Sequence, residues 1–342
     1  MPLNRRDFIR GLFVCLTAIH FPPLIFAQQT QSLILRRGFL TETNVQRVLS
    51  AGFVSDVMLM ALCPEKLVGI ATRLQTKHHY LSAQIKQLPY VGRIAGRGST
   101  APIEKIVALD ADLILDVGDV NPSFITTADK IVQQVHKPYF IVSGKLAHSA
   151  EQFRQLGELL HKPERAAQLA ALAQQILDLT HRACETKHLT VYLARSADGL
   201  ETALKGAIHT EVFDWLGLRN AAEMAGEKRM ARVSMENLLQ WQPDVIVTHD
   251  ENFFQKAKKE SLWANLSAVK NKQIFLAPNA PFGWLDAPPS VNRLLGCLWL
   301  THLFAPEKLP QAQFYQLITT YFEQFYGYSL SVTELTALVE QS

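Results

Sequence analysis

The sequence predicts an α/β protein of two lobes of similar plan joined by one long helix. Three observations carry this. The longest uninterrupted helical pattern, PERAAQLAALAQQILDLTHRAC at 163–184, lies mid-chain. The stretches on either side of it repeat each other: IEKIVALDADLILDVGD from Ile103 and MENLLQWQPDVIVTHDE from Met235. The chain also has 342 residues, 48% of them apolar, enough for two cores.

The long helix is read from its first turn onward. Pro163 suits the first helical position, Glu164 sits where the helix dipole favours a carboxylate, and no glycine or proline recurs before Cys184. Ala166, Leu169, Ala170, Ala173, Ile176 and Leu177 keep the spacing of one buried face. About 22 residues at about 1.5 Å each reach roughly 33 Å, the width of a small domain. In each repeat copy a glutamate (Glu104, Glu236) opens a short helix and an aspartate (Asp112, Asp244) closes the turn. An apolar triplet, Leu113-Ile114-Leu115 or Val245-Ile246-Val247, then reads as a buried parallel strand. A looser pair, DVMLMALCPEKLVG from Asp56 and EVFDWLGLRNAA from Glu211, places a carboxylate before an apolar helix face in both halves.

In chain order, residues 1–27 read as an export signal of twin-arginine type. Arg5 and Arg6 precede an apolar run too short and too interrupted for a membrane anchor, and Ala27 suits cleavage. Residues 28–43 read as a flexible lead-in, and 44–150 as the first α/β lobe, with a glycine-rich loop LPYVGRIAGRGS from Leu88. The connecting helical segment is 151–186, with the second lobe at 187–305 and a helical tail at 306–342. The net charge of +3 falls to about +1 once the signal is removed, which gives no bulk argument for nucleic acid or a membrane surface. Export leaves Cys63, Cys184 and Cys297, an odd number without metal-finger spacing, so buried free thiols are expected.

Six segments in order, SAGFVSDVMLMALCPEKLVGIAT, LPYVGR, IEKIVALDADLIL, LGELLHKPERAAQLA, GLRNAA and MENLLQWQPDVIV, resemble the substrate-binding proteins of ABC importers for iron-siderophores, haem and cobalamin. The resemblance covers about residues 45–304. Within the family, YLARSADGLETALKGAIHTEV and APFGWLDAPPSVNRLLG are similar to a subgroup that includes a molybdate and tungstate binder. The resemblance implies two Rossmann-like lobes, a single bridging helix and a ligand between the lobes. It also implies a monomer in the periplasm that delivers its ligand to a permease driven by an ATPase. Each lobe of such proteins carries a carboxylate that meets permease arginines; by position these are Asp56, where the family has glutamate, and Glu211. Carboxylates stabilising helix N-termini explain both residues as well.

The candidate ligand-binding residues are basic. Arg93 and Arg97 flank the glycines of the first-lobe loop, where backbone can approach a ligand and guanidinium groups suit oxyanions or carboxylates. Opposite them, Arg195 follows a strand end, with Lys205 and His209 in the next loop. In the proline-rich stretch from Pro281 to Arg293, Trp284 offers a flat face, Ser290 can cap a helix starting at Val291, and Arg293 opposes that helix's dipole unless an anion is near. Solvated surface charge and a core tryptophan are the competing explanations. The histidines do not argue for a bare metal site, since His78 and His79 are adjacent and His209 stands alone with Glu211. No nucleophile elbow, P-loop or dinucleotide fingerprint is present, so neither an enzyme nor a bound cofactor is expected. The ligand is expected to be an iron complex such as a siderophore chelate, with a molybdate or tungstate oxyanion as the alternative. An exported α/β enzyme without a recognisable motif is the reading from another class.

Overall fold

The computed structural model describes residues 31–40, 44–94, 98–226 and 229–340, and from Leu33 onward the chain forms one compact unit. The export signal lies outside the described residues. Two parallel sheets organise the chain. The first has strand order β1-β5-β4-β2-β3, from β1 (Ile34–Arg37), β2 (Val48–Ser50), β3 (Leu67–Gly69), β4 (Leu113–Gly118) and β5 (Tyr139–Ser143). The second has the order β11-β10-β6-β8, from β6 (Thr190–Ala194), β8 (Arg219–Asn220), β10 (Val245–Thr248) and β11 (Ile274–Leu276). A small antiparallel pair, β7 (Glu201–Ala203) and β9 (Met230–Arg232), flanks it. Every residue of β4 and β10 is buried, as expected of strands covered by helices on both faces.

The sequence repeat has a structural cause. Asp112 accepts the backbone N–H groups of Gln46 and Arg47, each at 2.8 Å, just before β2. Asp244 accepts the N–H of Thr190 at 2.8 Å, at the head of β6. Since β2 pairs with β4 and β6 with β10, each aspartate ties the start of its own strand to the start of the neighbouring one.

Three expectations are corrected. Residues 34–37 are not part of a flexible lead-in: β1 pairs antiparallel with β5, Ile34 opposite Val142. The long helix is Pro163–Thr180, ending before Cys184, and it follows a second helix, Ser149–Leu159, packed against it. A Cβ on Gly157 would lie 2.2 Å from that of Ala166, so glycine lets the two helices approach. The helix expected from Val291 begins at Arg293 and runs to Phe304. Cys63, Cys184 and Cys297 are buried free thiols.

The tail makes a second crossing between the lobes. Helix Gln311–Tyr321 packs on Arg293–Phe304 in the second lobe. The π-helical turn Phe322–Tyr326 then packs on helix Phe53–Leu62 in the first, where Ser82 donates its N–H to the Tyr326 carbonyl at 3.1 Å.

Candidate functional site

In the second lobe the C-terminal strand ends converge. Arg195 follows β6, His249 follows β10, and Asn279 lies just beyond β11, the side on which open parallel sheets bind ligands. Asp286 sits among them, fully buried. Its Oδ2 forms an ion pair with the Arg195 guanidinium and lies 3.2 Å from His209 Nδ1, while its Oδ1 lies 3.0 Å from His249 Nε2. That last approach is out of line for a hydrogen bond. Both ring nitrogens of His249 and Asp286 Oδ1 are buried without a hydrogen-bond partner. Burial, reinforced by the charges of Arg195 and Lys77, pushes the His249 pKa down to about 3, so the ring is neutral in the physiological range.

The first lobe reaches across with a cation. Lys77, in the turn Thr76–Tyr80, donates from Nζ to Asn279 Oδ1 at 3.2 Å, and the neighbouring His78 ring packs edge-on against Phe282 at 5.4 Å. Burial lowers the Lys77 pKa. Arg93 lies on the same lobe beside the end of β2, where Ile94 donates its N–H to the Ala51 carbonyl. Its guanidinium stands 5.2 Å from the ring centre of Phe53, which is 41% exposed. Arg195, paired with Asp286, and Lys77, bonded to Asn279, thus bring a guanidinium and an ammonium to the junction of the lobes. One carboxylate offsets part of that charge.

The residues expected to bind ligand do not all come together. Arg195 and His209 are brought together on Asp286, and Arg93 lies on the first lobe over Phe53. Arg97 lies outside the described residues. Lys205 is half-exposed and paired with Glu223 at 3.2 Å, away from the cluster. Trp284 is a core residue with no exposed surface, its Nε1 donating to the Ala280 carbonyl at 3.1 Å.

The remaining expected residues bond within the protein. Ser290 caps no helix and donates to the Val54 carbonyl at 2.7 Å. Arg293, 2% exposed, spends its donors on the carbonyls of Ser290, Ile208 and Gly144 and on Glu211. Glu211, partly exposed, accepts through Oε2 from Arg293 at 2.7 Å and from the Leu146 N–H at 2.7 Å. Asp56 is fully buried and accepts the N–H groups of Ala71 at 3.1 Å and Thr72 at 2.6 Å. Conversely Lys77, His249, Asn279 and Asp286 escaped the sequence reading as site residues. His249 had a usable signal: it follows the apolar triplet of the second repeat copy at a strand end, where ligands bind. A separate cavity of about 440 Å³, lined by Met60, Lys162, Arg165 and Tyr326 among others, contains none of these residues.

Comparison with known proteins agrees with this architecture. An ABC transporter solute-binding protein from Sulfurospirillum deleyianum superposes with a TM-score of 0.78 at 26% identity, covering 87% of this chain and 95% of that one. The molybdate periplasmic binding protein MolA of Haemophilus influenzae, solved with molybdate bound, superposes with a TM-score of 0.68 at 20% identity over 85% and 95% of the two chains. In sequence, the molybdate-binding protein MolA of the same organism is 30% identical over 101 residues, 29% of this chain and only 28% of that protein's length. Residues 71–281, which include Lys77, Arg93, Arg195, His209, His249, Asn279 and the bridging helix, match the family described as periplasmic binding protein, and this chain belongs to that family.

Proposed function

We propose that this chain is the solute-binding component of an ABC importer, capturing a compact anion of metal-containing type between its lobes and delivering it to a membrane permease driven by an ATPase. One observation carries the ligand class: Arg195 pairs with the buried carboxylate of Asp286 and Lys77 reaches Asn279 from the other lobe, so two cations stand against one carboxylate at the strand ends, beside a neutral His249 ring. A compact oxyanion such as molybdate or tungstate fits this better than a bulky planar chelate. Two of the flat faces such a chelate would stack on are withdrawn, with Trp284 fully buried and Tyr80 7% exposed, while Tyr90 is 39% exposed. The similarity to a molybdate-binding protein supports the same class. A ferric chelate remains the second reading, favoured by the exposed Phe53 face beneath Arg93. No bond is made or broken in this role. Export with cleavage after Ala27 is part of the proposal, and amino-terminal sequencing of the periplasmic protein is expected to begin at Gln28.

The test is a thermal-shift series with molybdate, tungstate, ferric citrate, ferrichrome and haemin, followed by calorimetry. A ligand at 100 times its Kd adds about 2.7 kcal/mol, a shift of several degrees. Molybdate or tungstate is expected to raise Tm, and Arg195→Met or Lys77→Met to weaken binding by about tenfold or more. Stabilisation by ferric chelates alone would transfer the assignment to the second reading. Silence from every compound would remove both.

A further inference from the structure

We propose that Arg293 and Glu211 form a clasp between the lobes that sets the aperture of the cleft, acting on the ligand without touching it. The reading of the cleft as the ligand's seat is the one given under Proposed function, and this inference rests on it only for its effect on affinity.

The clasp is built from second-lobe side chains and first-lobe backbone. Arg293, at the start of helix Arg293–Phe304, donates from Nη2 to the carbonyl of Gly144, in the loop that leaves β5. Its Nη1 donates to Glu211 Oε2 at 2.7 Å and to the Ile208 carbonyl at 2.9 Å. The same Glu211 oxygen accepts the N–H of Leu146, two residues beyond Gly144, at 2.7 Å. One carboxylate oxygen therefore joins a guanidinium of its own lobe to a backbone amide of the other. A neighbouring bond, Ser290 Oγ to the Val54 carbonyl at 2.7 Å, ties the loop before Arg293 to the first turn of helix Phe53–Leu62.

The contact is close at Gly144, where a Cβ would lie 3.0 Å from Gly118 Cα in its own sheet and 3.2 Å from Ile208 Cδ1 of the second lobe, so the second lobe packs against this bare backbone. Arg293, Gly144 and Leu146 are buried and Glu211 is partly so, so moving the lobes apart would strand the guanidinium, the carbonyl and the amide and unpair the carboxylate at once. Such a contact has two discrete arrangements, made or broken, rather than a graded one. Arg293 and Glu211 are thus positioning residues, since they hold Arg93 and Lys77 of one lobe at a set distance from Arg195 and Asp286 of the other.

The experiment measures aperture directly. Spin labels are placed on Lys130→Cys in the first lobe and Lys270→Cys in the second, both exposed, while Cys63, Cys184 and Cys297 are buried. The distance distribution of the exported protein is then recorded with and without molybdate. A single narrow distance is expected, broadened or lengthened in Arg293→Met and in Glu211→Gln, with molybdate affinity falling by tenfold or more. Should Arg293→Met fail to fold, Glu211→Gln keeps the carbonyl acceptor for Leu146 and removes only the charge. Tm measured alongside separates the readings: a lower Tm with an unchanged distance distribution would overturn the clasp and leave an ordinary core ion pair. An aperture that moves while molybdate affinity does not would keep the clasp and instead remove the cleft as the ligand's seat.

Discussion

Among single residues, His249 makes the sharpest prediction because its proton and its environment disagree. Its folded pKa is about 3 against an ordinary value of 6.5, so on acidification the unfolded chain takes up a proton that the folded protein refuses. The stability it contributes is complete above about pH 6.5 and is lost as pH falls toward 3. Between pH 7.5 and 4.5 the wild type is expected to lose about 2–3 kcal/mol more than His249→Asn in urea unfolding. An equal loss in both would mean that the ring is not held neutral. Asp116 acts in the opposite sense: burial outweighs its bond from Tyr139 and pushes its carboxyl up to about 6. Its neutral form is preferred in the fold, so its contribution is present below about pH 3.8 and is lost as pH rises through 6. Arg293→Met is expected to cost about 3–5 kcal/mol, since Glu211 would keep a partly buried charge and lose its cationic partner.

At the scale of the element, the repeated aspartates and the helix pair are where local sequence meets packing. Asp112 holds two backbone donors ahead of β2, and Asp112→Ala is expected to lower stability by about 1–2 kcal/mol, with Asp244→Ala losing a comparable amount at β6. Urea midpoints at constant m-value check both. Gly157→Ala would press its new methyl on Ala166 and separate helices Ser149–Leu159 and Pro163–Thr180, at a cost of about 1–3 kcal/mol. These elements were legible because their signals are local: a proline at a first turn, a 3.6-residue apolar period, an aspartate at a turn. β1 was not legible, since four residues, ILRR, gain strand geometry only from hydrogen bonds to β5, about a hundred residues away in sequence.

Across the whole molecule, the lobes are joined by helix Pro163–Thr180, by the Arg293 and Glu211 bonds to the loop after β5, by the Lys77–Asn279 and Ser290–Val54 bonds, and by the tail running from the second lobe back to the first. The tail is core rather than appendage. Phe314, Ile318, Tyr321, Phe322, Phe325 and Tyr326 are buried, and Arg165 on the bridging helix donates to the Gln324 carbonyl. Truncation after Leu309 is therefore expected to abolish cooperative folding, seen as loss of the near-ultraviolet circular dichroism signal. A soluble, cooperatively unfolding truncation would contradict that role. The amphipathic pattern of the tail announced a helix, but an apolar stripe does not name the surface it will cover.

The sequence by itself determined the α/β class, the two-lobe plan, the bridging helix to within its last turn, and the buried thiols, because each follows from periodicity or composition within a short window. It also drew attention to basic residues in the loops after strands, and Arg195 directly follows β6. Only the tertiary structure decided which of these charges are answered by other residues of the protein. Arg293, Glu211, Asp56 and Ser290 look like surface chemistry in the sequence, yet Arg293, Asp56 and Ser290 are buried and all four bond to partners within the protein. Lys77 meets Asn279, some two hundred residues away, because the two lobes come together there, and Asp286 meets Arg195 from about ninety residues further along the same lobe. A side chain's charge is a property of the residue; whether water, a ligand or another residue answers it is a property of the fold.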